Sequence, residues 1–138
     1  MVTTQMLCME DGGKARKLFL DADTNYFISI LFRYLDTFPR PAGIPEWPQT
    51  LPAITPDQLD AAIAAGEMAI GSPEEVAKCV ERYVATGADQ LSFGMLSTSL
   101  SLETCQEGVE TFGKHILPEF DKDPVHNTTK QRLASGGK

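Results

Sequence analysis

The sequence predicts an α/β fold of about three parallel βα units, with an extra long helix and a proline-rich loop between the first two strands. Three observations carry this. Short apolar or alternating runs at Thr3–Met9, Met68–Ile70 and Leu91–Met95 have the length and pattern of strands. Stretches with helical spacing separate and follow them, and no Asn-Gly or Asp-Gly turn joins one strand directly to the next. Alternation of this kind calls for parallel strands joined by right-handed crossovers, with helices covering one side of the sheet.

The elements follow in order. Met6, Leu7, Cys8 and Met9 form an apolar run that stops at Glu10-Asp11-Gly12-Gly13, a buried strand and a turn. From Lys14 to about Asp36, apolar residues at Ala15, Leu18, Phe19, Ala22, Tyr26, Ile30, Phe32 and Leu35 keep the spacing of one helix face, which predicts a long helix. Pro39, Pro41, Pro45, Pro48 and Pro52 then remove backbone donors and mark an ordered or semi-rigid loop around Trp47. Thr55-Pro56-Asp57-Gln58 opens a helix with a capping hydroxyl, a first-turn proline and a glutamine at the third helical position, and Gly66 ends it.

After the short strand at Met68-Ala69-Ile70, Ser72-Pro73-Glu74-Glu75 repeats the helix-opening pattern. The helix it opens carries Val76, Ala77, Val80, Tyr83 and Val84 on its apolar face and closes at Gly87. Leu91, Phe93 and Met95 alternate with Ser92 and Gly94, a strand. A loop at Ser97–Ser101 leads to a last amphipathic helix with Cys105, Val109, Phe112 and Ile116 as its stripe, ending at Pro118. The expected organisation is one domain over residues 1–120 and a flexible polar tail over 121–138, in which only Val125 and Leu133 offer an apolar anchor.

Composition narrows the function. At 138 residues the chain has the size of one domain or part of one, taking about 150 residues per domain. Its 12 Lys and Arg against 19 Asp and Glu leave a net charge of −7, which repels a polyphosphate backbone and argues against a general nucleic-acid binder. No apolar run reaches the roughly 18 residues of a membrane span. Met1–Asp11 has no secretory pattern, so a cytoplasmic location is expected, and Asn127-Thr128-Thr129 then carries no weight as a glycosylation acceptor. Cys8, Cys79 and Cys105 lack CxxC spacing and lie in apolar segments, the pattern of free buried thiols.

Ala69-Ile70-Gly71-Ser72-Pro73-Glu74-Glu75-Val76, continuing through Tyr83-Val84-Ala85-Thr86-Gly87-Ala88-Asp89-Gln90-Leu91, resembles the carboxyl-terminal part of the bacterial luciferase-like flavin-dependent monooxygenases. Phe112-Gly113-Lys114-His115-Ile116-Leu117-Pro118-Glu119-Phe120 is similar to the closing helix of that family. The resemblance spans Met68 to Phe120 and extends loosely over the preceding long helix. It implies a TIM barrel with FMN or a deazaflavin at the carboxyl ends of the strands. A complete barrel has eight βα units in about 250 residues. This chain therefore reads as a partial TIM barrel, either a fragment of a longer enzyme or a shortened relative with a different assembly.

Gly71 and Ser72 are the leading cofactor-binding candidates, because amides at a helix start and a serine hydroxyl suit an anion or a flavin edge. For an isolated match a plain capping box is the stronger account, and the barrel context that the resemblance implies narrows the gap by placing these residues on the catalytic face. Gly94 and Met95, at the end of the last strand, are the other cofactor-binding candidates, and close packing also explains a strand glycine. Gly12-Gly13-Lys14 opens a helix but lacks both phosphate-loop and dinucleotide spacing, so it reads as a turn. His115, near Glu119, and His126 have no HExxH or cysteine pair to complete a metal set. No serine or cysteine is paired with a base, so no catalytic side chain is assigned and the flavin would carry the chemistry. The proline-rich loop suits a strap between helices and, alternatively, a lid.

The expected function is thus a portion of a flavin-dependent oxidoreductase acting on a small molecule and inactive by itself. The alternative is a non-catalytic α/β interaction or oligomerisation module. About three strands cannot close a barrel, so a homo-oligomer or the missing barrel portion is the expected partner, with no nucleic acid and no membrane.

Overall fold

The computed structural model describes residues 2–22, 42, 52–95, 100–123 and 125–136. The strands are β1 (Val2–Cys8), β2 (Ala69–Gly71) and β3 (Leu91–Met95), and the helices are α1 (Gly12–Asp21), α2 (Pro56–Ala64), α3 (Pro73–Ala85), α4 (Leu102–His115), α5 (Leu117–Phe120) and α6 (Asn127–Ala134). The expected α/β class and parallel pairing are present. Met6, Leu7 and Cys8 of β1 align with Ala69, Ile70 and Gly71 of β2, and Val2 through Met6 align with Leu91 through Met95 of β3.

β1 is the middle strand, in the order β2-β1-β3. This explains its unbroken apolar run: Met6, Leu7, Cys8 and Met9 are all buried, because a central parallel strand is covered on both faces. Met6 and Cys8 pack with Ala69 against Val76, Cys79 and Val80 of α3 and Phe112 of α4. Leu7 and Met9 pack with Ile70 on the other face against Ala15 and Phe19 of α1 and Leu59 and Ile63 of α2.

The expectation of helices over one side is therefore corrected: they cover both. The physical reason is handedness. The chain leaves β1 for β2 on one side, then returns past β1 to β3 on the other. Right-handed crossovers running in opposite directions must lie on opposite faces. Three consecutive barrel strands would instead lie in sequence order, with β2 in the middle.

Local boundaries shift for identifiable reasons. α1 begins at Gly12, two residues before Lys14, because the Asp11 carboxylate accepts the Gly13 and Lys14 N–H groups at 2.9 and 3.1 Å. The single long helix expected from Lys14 to about Asp36 is corrected: α1 ends at Asp21, because Ala22 takes an extended backbone (φ −80°, ψ 127°) that cannot continue a helix, while residues 23–36 and most of the proline-rich loop with Trp47 lie outside the described residues. α2 carries the expected reciprocal cap, Thr55 N–H to Gln58 Oε1 at 3.0 Å and Gln58 N–H to Thr55 Oγ1 at 3.3 Å. On α3, Cys79 faces inward, whereas Val84 near the carboxyl end is 57% exposed.

The stripe of α4 is turned relative to expectation. Phe112 and Ile116 are buried, but the row continues through Gly108 and Thr111, leaving Val109 53% exposed and Cys105 half-buried. A helix of 3.6 residues per turn allows either continuation from Phe112. Packing decides it here, with the Phe112 ring against Phe93 at 4.8 Å between centroids. The tail contains the short helix α6, which buries none of its residues, and both proposed anchors, Val125 and Leu133, are exposed.

The orientation of α4 has a direct test in urea unfolding. Phe112→Ala is expected to cost about 3–5 kcal/mol as a buried aromatic truncation. Val109→Ala is expected to stay within about 0.5 kcal/mol, as for an exposed position. A cost for Val109→Ala well above about 0.5 kcal/mol, beside the loss at Phe112, would restore the stripe that the sequence predicts.

Candidate functional site

Parallel α/β sheets place ligands beyond the carboxyl ends of their strands, so that edge is where the candidate residues must act. β1 leaves the sheet at Cys8 and Met9, with the Met9 N–H donating to the Gly71 carbonyl at 3.0 Å. β2 leaves at Gly71 and turns at once into α3 through Ser72. Gly71 has φ +142°, a region that L side chains rarely adopt.

The space a side chain would need beside Gly71 is filled by Glu75. Its carboxylate accepts the Ser72 N–H at 2.9 Å and the Arg16 Nη1–H at 3.1 Å, and it also takes a hydrogen bond from Arg16 Nη2. Arg16 donates further to Asp60 Oδ1 at 2.7 Å and to the Gly12 carbonyl at 3.1 Å. A Cβ on Gly12 would stand 2.7 Å from Glu75 Oε2, and one on Gly71 would run into the same oxygen. Two glycines thus cradle one ion pair that joins α1, α2, β2 and α3.

The electrostatics follow from those partners. The Arg16 guanidinium holds the Glu75 carboxyl below its ordinary value against the opposing effect of burial, with the Ser72 amide assisting. Hydrogen bonds to Glu75 and Asp60 push the Arg16 guanidinium further up. Ser72 Oγ donates to Glu74 Oε2 at 2.7 Å and lowers that carboxyl. The amide of Ser72 and its hydroxyl are therefore already committed to carboxylates of this chain. As held here, they do not fit a flavin phosphate or ring edge, because both donors point to an existing negative charge.

The other candidates are arranged similarly. Gly94 and Met95 pair with Gln5 and Met6, two rows short of Cys8, whereas Gly71 pairs with Cys8 on the opposite edge of β1. The two pairs flank β1 and do not converge. Among the described residues a Cβ on Gly94 would meet only Thr4 O at 3.9 Å, an ordinary contact. At Gly12-Gly13-Lys14 the helix amides are capped by Asp11, and Lys14 pairs with Glu107 at 2.7 Å. His115 Nε2 and Lys114 Nζ reach Glu10 at 2.8 and 2.9 Å, tying α4 to the loop after β1. Among the described residues no three His, Cys, Asp or Glu side chains form a group that could hold a metal.

Burial pushes the Cys8 thiol up to about 12, with Glu10 and Glu74 adding to the effect, and burial also raises Cys79. Neither supplies a thiolate near neutral pH. The sequence reading missed the Arg16–Glu75–Asp60 network. Glu75 was legible as a capping residue, but its long-range partner in α1 carried no local signal. Comparison with family models, curated proteins and solved structures finds no match to this chain.

Glu75→Gln is expected to cost about 1–3 kcal/mol, since it weakens charge-assisted bonds in a partly shielded pair. Gly71→Ala should cost at least about 2 kcal/mol through backbone strain and displacement of the carboxylate. Because the folded Glu75 carboxyl titrates below its ordinary 4.5, its contribution is complete above that pH and is lost as pH falls through the lower folded value. Urea midpoints between neutral and strongly acidic pH should thus fall more steeply for the wild type than for Glu75→Gln. Parallel profiles would remove this ion pair from the stability of the edge.

Proposed function

We propose that the chain is a carboxyl-terminal portion of a luciferase-like flavin-dependent oxidoreductase or monooxygenase, incomplete by itself. The supporting observation is the arrangement at the carboxyl edge. β1 and β2 are parallel neighbours, and β2 ends at Gly71 where a capped helix opens at Ser72, the position that the resemblance assigns to the flavin side of a TIM barrel. In a barrel the free edge of β1 would pair with the preceding strand, and β3 would lie on the outer edge of β2. In this chain β3 instead takes that edge of β1. Helices α3 and α4 then cover the Met6 and Cys8 face, which in a barrel would look inward.

In this reading the chain supplies scaffold at the carboxyl edge, while FMN or a deazaflavin requires enclosure that further strands would provide. A small-molecule substrate belongs to the same assembly. No side chain of this chain serves as nucleophile or base. A second reading, a non-catalytic α/β interaction or oligomerisation module, is favoured by two observations: helices cover both faces, and Ser72 already donates to Glu74 and Glu75. Under either reading the outer edges of β2 and β3, which have no strand partner among the described residues, suit pairing with a second copy.

Titration with flavin mononucleotide, followed by fluorescence quenching, should give no stoichiometric submicromolar binding, because one edge cannot enclose the ligand. Tight stoichiometric binding would overturn the incompleteness of the site. Sequencing the coding region upstream separates the two readings: an in-frame segment of about five further βα units supports the enzyme, and its absence supports the module. Light scattering at micromolar concentration should report a dimer or larger assembly. A compact monomer would show that these sheet edges do not drive association.

A further inference from the structure

At the amino-terminal end of the sheet, a cavity of about 440 Å³ opens between α3, β3, α4 and the segment after α5. It opens beside Leu91, which pairs with Val2 at the end of β1 opposite Cys8 and Gly71. Its volume lies within the roughly 300–1,000 Å³ of small-molecule sites. Four aromatic side chains line it: Tyr83, Phe93, Phe112 and Phe120. The Phe93 and Phe112 rings pack on each other at 4.8 Å between centroids with planes inclined by 58°, so this part of the wall is a continuous aromatic surface.

The rim is acidic. Asp89, Asp121 and Asp123 stand on it, and no Lys or Arg is among the described residues that line it. Two of these carboxylates have partners. Asp89 accepts the Asn127 N–H at 2.6 Å and faces His126 Nδ1 at 3.5 Å, while Asp123 pairs with Lys130 at 2.6 Å. The Asn127 amide, and secondarily His126, keep the Asp89 carboxyl low. Asp121 is exposed and makes no ion pair among the described residues.

We propose that this cavity binds a small organic ammonium ion, its apolar body against the aromatic wall and its cationic nitrogen toward Asp121. Ring faces carry the negative side of the aromatic quadrupole and attract a cation whose hydration is weak. The carboxylates add a second attraction of the same sign, and the net charge of −7 raises the local concentration of cations. An anion, a flavin phosphate included, meets repulsion from both. The inference is independent of the flavin reading, because it uses neither the carboxyl edge nor any residue placed there.

The test is an NMR titration of the full chain with benzyltrimethylammonium, with benzyl alcohol and benzoate as neutral and anionic comparators of similar shape. Saturable shifts should centre on Tyr83, Phe93 and Phe112, with affinity at least about tenfold above either comparator. Asp121→Asn, an exposed change that leaves the core intact, should weaken the ammonium ion by roughly fivefold and leave benzyl alcohol unaffected. Tyr83→Leu, accepted only if signal dispersion shows it folded, should weaken it as well. Equal affinity for benzyl alcohol, an unchanged constant in Asp121→Asn, shifts centred elsewhere, or no saturation would each overturn the proposal.

Discussion

The carboxyl edge of this molecule depends on one half-buried ion pair, Arg16 with Glu75. It connects segments 59 residues apart and closes the gap between the helix that follows β1 and the helix that follows β2. Because both partners are largely shielded, the pair is worth having only when every donor and acceptor is answered. Asp60, the Gly12 carbonyl and the Ser72 amide provide those answers. The glycines at 12 and 71 are consequences of the same pair, since each leaves room for the Glu75 carboxylate. What looks locally like a nucleotide-binding turn is therefore a structural joint built around an internal anion.

This joint also changes the meaning of the helix starts. A free helix amino terminus attracts phosphate through its unpaired amides. Here Asp11 accepts the first amides of α1, and Glu75 accepts the amide of Ser72 at the cap of α3, so the chain's own carboxylates occupy both helix starts. The long cross-links Lys14–Glu107 and Glu10–Lys114 then tie the turn after β1 to α4. These exposed pairs contribute modestly to stability, as exposed pairs do, yet they fix which helix lies against which end of the sheet. Acidic groups are thus paired at the carboxyl edge, and around the cavity at the other end Asp123 is paired with Lys130 while Asp121 has no ion-pair partner among the described residues.

Much of the fold was legible. The capping patterns at Thr55 and Ser72 located α2 and α3 to the residue, because caps are local chemistry. The apolar run at Met6–Met9 and the alternation at Leu91–Met95 located strands for the same reason. The site was less legible. Gly71 and Ser72 were found at the carboxyl edge, but their engagement by Glu75 depends on Arg16, and no spacing rule connects positions 16 and 75. Val109 was placed inward because a helix repeat permits it, although α4 meets the sheet through Thr111 and Phe112 instead.

The sequence by itself determined the α/β class, the parallel sense of the strands and the starts of α2 and α3. All of these follow from interactions within a few residues, or from connections too long for hairpins. Only the tertiary structure decided that β1 is central, that helices cover both faces and that the candidate residues flank β1 without converging. The reason is that strand order is chosen among edges with similar hydrogen-bonding capacity. The choice rests on which apolar faces can be buried together, a comparison between distant segments that no local pattern records.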